Sequence, residues 1–141
     1  MKMTQDAKSF LGTLLWTLPE DEEQEVRDAT IYDFSPEFVE SLEGFLSGFR
    51  DFANGRDLEA LEAADGSPRS FGGNVYLSLS GHGAGFWDSS ETAAMQPLLE
   101  EYSGGKYRFE GIALSFREDG KLDLAFLPEY LDERRKALFT V

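Results

Sequence analysis

The sequence predicts a single-domain α+β protein: a small antiparallel sheet made of two hairpins, with three to five helices covering one face. Three observations carry this expectation. Phe38 to Ala53 repeats apolar residues at steps of three and four, the period of a helix with one buried face. Val75 to Leu79 and Ile112 to Phe126 repeat them at steps of two, the period of half-buried strands. At 141 residues, 41% hydrophobic and 13% aromatic, the chain has material for one ordinary core. The expected division is an acidic helical half (1–66), a sheet-forming half (71–127) and a C-terminal helix (128–140).

Taken in order, Gln5 to Leu18 places Phe10, Leu11, Leu14, Leu15 and Leu18 at helical spacing before Pro19. Trp16 and Thr17 also suit a strand, so helix and strand both stand for residues 10–18. Glu20 to Asp28 has no apolar period and reads as a solvated loop. Ser35 followed by Pro36 is an N-cap and first-turn pair, opening the helix that Asn54-Gly55 closes. Ser41, Gly44, Ser47 and Gly48 gather on another face of that helix, where a close approach would explain two interior glycines. A shorter helix runs from Arg56 to Ala64, and Gly66 to Gly73 is a loop.

The strand expected at Asn74 to Ser80 turns back at His82-Gly83 or through a three-residue turn, and the register stays open. Met95 to Tyr102 is helical in pattern, with Pro97 either near the first position or at a kink, and Gly104-Gly105 as the stop. In the last hairpin a three-residue loop, Glu118-Asp119-Gly120, sets Phe116 against Leu122, Leu114 against Leu124 and Ile112 against Phe126. Gly120 then takes the left-handed position of a bulge. Pro128 opens a terminal helix whose acids precede its bases, as the helix dipole favours.

Charge is the strongest compositional feature. Asp and Glu outnumber Lys and Arg 27 to 13, for a net of −14. Pro19 to Asp65 holds fifteen acids and three arginines, a net of −12, whereas residues 71–141 carry a net of only −4. Direct binding to nucleic acid or to anionic lipid is therefore opposed. With no cysteine there is no disulfide framework or thiolate site. Phe10 to Leu18 is too short for a membrane span. The expected location is the cytoplasm, with no cofactor.

The most particular stretch is Gly81-His82-Gly83-Ala84-Gly85-Phe86-Trp87-Asp88, which holds the only histidine and one of two tryptophans. Here the chain resembles a family of small acidic proteins encoded largely by bacteriophages and by bacteria carrying prophage-like DNA, most of them uncharacterised. All eight motif residues match. Leu14-Leu15-Trp16 before an acidic stretch, Asp33-Phe34-Ser35-Pro36-Glu37 and Glu118-Asp119-Gly120-Lys121 are also similar, so the likeness spans residues 9–126. Ser78-Leu79-Ser80 and Ser89 depart from it, standing where the family commonly has Thr-Arg-Asn and an arginine.

His82 could act as a general base near neutrality, but no serine or cysteine nucleophile is placed to form a relay with it. Its structural role would be to fill the hairpin tip and donate a hydrogen bond to the backbone. A metal site on His82 and Asp88 would need further ligands, and none is expected. Asp88 with Glu91 matches a capping box. Trp87 serves equally as core or as an interface anchor.

The resulting expectation is a non-enzymatic phage or prophage accessory protein that inhibits a host nucleic-acid-binding defence factor of restriction or CRISPR type. Glu20, Asp21, Glu22, Glu23, Glu25 and Asp28 would imitate phosphates, with His82 and Trp87 in a second contact. The alternatives are a small hydrolase-like enzyme centred on His82 and a homodimeric assembly module built on the Phe38 to Ala53 seam.

Overall fold

The computed structural model describes residues 2–104 and 108–140. Among them are seven α-helices: α1 (Gln5–Trp16), α2 (Gln24–Arg27), α3 (Pro36–Asn54), α4 (Leu58–Asp65), α5 (Ser70–Ser80), α6 (Met95–Ser103) and α7 (Pro128–Phe139). Two 3₁₀ turns, Ile31–Asp33 and Phe86–Asp88, join them, and the sheet is a single antiparallel pair, β1 (Leu114–Phe116) and β2 (Leu122–Leu124). The α+β class stands, with more helices than expected and one hairpin instead of two.

Local chemistry explains the elements the sequence marks well. Thr4 caps α1 by accepting a hydrogen bond from the Ala7 N–H, and Phe10, Leu11 and Leu14 are buried, so this segment is a helix rather than a strand. Ser35 caps α3 through the Phe38 N–H at 3.2 Å with Pro36 at the first position, and Phe38, Val39, Leu42, Phe45, Leu46, Phe49 and Ala53 are all buried. Burying each such large side chain stabilises by roughly 1.5–3 kcal/mol. The seam proposed for a dimer is thus consumed inside the chain. Gly48 admits the close approach expected of that helix, because a Cβ there would collide with the Tyr102 ring.

Pro97 lies in the first turn of α6, where its missing N–H has no helical acceptor to lose. Gly104 closes that helix at φ 77°, while Gly105 lies outside the described residues. In the hairpin, Leu114 faces Leu124 and Phe116 faces Leu122, and Gly120 sits at φ 81°, as the three-residue loop requires. Beyond Leu114 the last recorded bond runs from the Ala125 N–H to the Ala113 carbonyl, and the Phe126 N–H turns back to the Leu124 carbonyl. The expected pairing of Ile112 with Phe126 therefore does not form.

The largest correction is at Asn74 to Ser80, which is the body of α5 and not a strand. All ten residues from Phe71 to Ser80 are buried. A helix covered on every side shows no amphipathic stripe, so the alternation of Val75, Leu77 and Leu79 with polar residues says nothing about its period. The polar residues are satisfied locally: the Asn74 amide donates to the Ser67 hydroxyl and Ser70 carbonyl, and the Ser80 hydroxyl donates to the Leu77 carbonyl. Among the described residues the expected 71–127 sheet half therefore holds α5 and α6 before the one hairpin. Gly72 and Gly73 fall inside α5 and not in a loop, and they let α1 lie against it backbone to backbone.

Smaller corrections follow the same logic. Glu20 to Asp28 is not wholly loop, since Gln24–Arg27 forms a helical turn pinned by buried Val26. The helix expected from Arg56 begins at Leu58, behind an Asp57 cap that accepts from the Ala60 N–H. The core they enclose is rich in phenylalanine: Phe49 stacks on Phe71 at 5.5 Å, and Phe10 meets the edge of Tyr76 at 5.2 Å.

The terminal helix is tied down by charge as well as by packing. Arg135 on α7, 8% exposed, reaches Asp123 on β2, 1% exposed, at 2.6 Å. Asp123 also accepts from the Ser35 hydroxyl and the Leu124 N–H. Arg108 donates to the carbonyls of Ser103 and Thr140 at 2.6 and 2.8 Å, and to that of Ala137.

Candidate functional site

The motif loop is shaped by where α5 ends. Gly81 leaves the helix at φ 78°, in the left-handed C-terminal position. Gly85, at φ 152°, is pressed between Ser78 and the Trp87 ring: a Cβ there would stand 2.8 Å from Trp87 and 3.0 Å from the Ser78 Cα. Gly83, at φ 76°, has open space around it. The expected outcome is that Gly85→Ala destabilises by about 2 kcal/mol. Gly83→Ala costs about 1 kcal/mol, from backbone strain alone. Urea unfolding of the two variants checks the order.

The second half of the motif is structural. Phe86 is buried against Phe49 and Phe71; its N–H donates to the Ser78 hydroxyl at 3.0 Å, and its carbonyl accepts from Thr92 at 2.7 Å. The Asp88 carboxylate pairs with Arg69 at 2.9 Å and accepts from the Gly85 N–H. Asp88 therefore fastens the loop behind it, and the capping box expected with Glu91 does not form, because the next helix begins only at Met95. Trp87 is half-buried over Gly85.

His82 is exposed, and among the described residues its ring makes no hydrogen bond; it lies 6.0 Å from the Tyr76 ring. Beside it is a cavity of about 300 Å³ lined by residues including Leu18, Pro19, Tyr76, Ser80, Phe109 and Glu110. Burial pushes the Tyr76 phenol above the ordinary tyrosine range, against the opposing effect of hydrogen bonds with Thr17 and Ser80. Tyr76 was expected on the outer face of a strand and Glu110 carries no local signal, so neither could be read as a partner of His82 from sequence.

The acidic segment starts at the rim of this cavity, since Pro19 in its wall precedes Glu20. Glu20, Asp21, Glu23, Glu25 and Asp28 are exposed and Glu22 is half-buried. Glu22 accepts from the Glu23 N–H and Asp28 from the Gln24 amide, while Arg27, inside the same segment, donates to the Glu20 carbonyl. Among the described residues none of the six carboxylates forms an ion pair. Helix α2 rests on β1. His82 and the acidic segment thus share an edge through the cavity; Trp87 is not part of its wall.

The described arginines elsewhere are largely occupied. Arg50 bridges Asp65 and Asp6, and those hydrogen bonds, Asp65 first, hold its guanidinium above the ordinary arginine range. Arg117 bonds Glu37 and Asp119, and its hydrogen bond holds the Glu37 carboxyl below the usual glutamate range. Among the described residues no group of three or more His, Asp or Glu side chains is placed to hold a metal ion, and no helix is long and apolar enough to cross a membrane.

No family model, curated protein or solved structure matches the chain.

Proposed function

We propose that this protein is a non-enzymatic accessory inhibitor of phage or prophage type, which occupies the basic nucleic-acid-binding surface of a host defence factor such as a restriction or CRISPR effector. The observation that carries the reading is electrostatic. Six carboxylates between Glu20 and Asp28 stand without an ion-pair partner among the described residues, while Arg50, Arg69, Arg117 and Arg135 are each neutralised elsewhere. Such a net-negative run, six acids against Arg27, attracts a basic surface, speeds its association and repels nucleic acid and other acidic proteins. The hydrolase reading gains a cavity at His82, but no described side chain orients the imidazole toward a nucleophile.

The immobilised protein, offered a bacterial lysate at low ionic strength, should retain basic nucleic-acid-binding proteins and release them to added duplex DNA. Retention of no such protein, or retention that DNA does not reverse, would contradict the reading.

A further inference from the structure

We propose that the cavity beside His82 binds a small organic ammonium, an amine carried on an apolar body the size of one ring or a short alkyl chain. The cavity, about 300 Å³, is sorted by chemistry. Leu14, Leu18, Ile112 and Leu114 offer aliphatic surface to the body of such a ligand.

The rings of Tyr76 and His82 stand 6.0 Å apart and inclined by 34°, with Phe109 6.2 Å from Tyr76. Aromatic faces are electronegative and attract a cation placed against them.

The hydroxyl groups of the wall are already engaged: Thr17 Oγ1 lies 3.2 Å from the Tyr76 hydroxyl, and the Ser80 hydroxyl donates to the Leu77 carbonyl. Among the described residues Glu110 is the one acidic or basic side chain apart from His82 that lines the cavity, and it is exposed and in no ion pair. Glu20 follows Pro19 directly at the same rim. A ligand carboxylate or phosphate would meet these acids and the net charge of −14, whereas an ammonium is drawn in by them. The same chemistry is offered by a free amine and by a lysine side chain of another protein. Nothing in this inference depends on the inhibitor reading.

The test is an NMR titration of the full chain with phenethylammonium, its neutral isostere 2-phenylethanol and the anion phenylacetate. Saturable shifts centred on His82, Ile112 and Leu114 are expected for the amine, with affinity about tenfold above the alcohol, and no saturable response to phenylacetate. Nα-acetyl-lysine methylamide distinguishes the source: tighter binding than phenethylammonium indicates a protein side chain, and weaker binding a free amine. Glu110→Gln, at an exposed position, should weaken the amine about two- to fivefold. Equal binding of the three phenethyl probes, no saturable shift at millimolar concentration, shifts spread along Glu20 to Asp28 instead of the cavity wall, or an unchanged affinity in Glu110→Gln would overturn the proposal.

Discussion

Asp123→Asn is expected to destabilise the protein by about 3–5 kcal/mol, because it leaves a guanidinium buried without the carboxylate that compensates it. Asp123 is 1% exposed and receives Arg135 at 2.6 Å, with the Ser35 hydroxyl on the same oxygen. Among the described residues the Arg135 Nε has no hydrogen-bond partner, and its other carboxylate neighbours are Asp132, which is 91% exposed and screened by water, and the more distant, half-exposed Glu37. The loss should appear as a lower urea midpoint with an unchanged slope. Adding Arg135→Leu removes the orphaned charge, and the double variant should recover most of the loss. A single-variant cost under about 1 kcal/mol would show that the pair is solvated in practice.

Gly72→Ala is expected to cost about 3 kcal/mol, for a steric reason. Its Cβ would overlap the Asp6 carbonyl, lying 2.9 Å from the Asp6 carbonyl carbon and 3.1 Å from the Phe10 nitrogen. These are backbone atoms inside α1, which cannot rotate away, so the two helices must separate. Gly73→Ala meets the Thr13 hydroxyl at 3.0 Å, a side chain able to give, and should cost about 1 kcal/mol. Gly12→Ala, with nothing within 4 Å, should gain up to about 1 kcal/mol from helix propensity. Thermal unfolding of the three variants checks this order. Were Gly72 and Gly73 in the loop that the sequence suggests, neither would lie against the backbone of α1 and the two would not differ in this way.

The contrast between α3 and α5 shows what the sequence can disclose. Helix α3 buries one stripe and begins at Ser35-Pro36, so period and cap agree. Helix α5 is buried all round, which erases the stripe, and its glycines resemble loop residues when they are in fact a helix contact. The hairpin register was readable because Gly120 has one place in a three-residue turn.

At the candidate site, the glycines, Phe86 and the acidic run stand out in the sequence. Tyr76, Thr17 and Glu110 do not, because they meet His82 only through the packing of α1, α5 and the segment after Phe109. Asp123 and Arg135 are not legible for a similar reason: each looks solvent-facing on its own element, and only the docking of α7 on β2 buries them together.

The most direct test of the inhibitor reading is the salt dependence of binding to the captured basic partner, measured for the wild-type chain and for a variant carrying Glu20→Gln, Asp21→Asn, Glu22→Gln, Glu23→Gln, Glu25→Gln and Asp28→Asn. Affinity of the wild type should fall steeply as salt rises, and the variant should bind more weakly with a much shallower dependence while keeping its near-ultraviolet circular dichroism. Equal affinity and equal salt dependence for the two chains would contradict a role for the acidic segment in recognition.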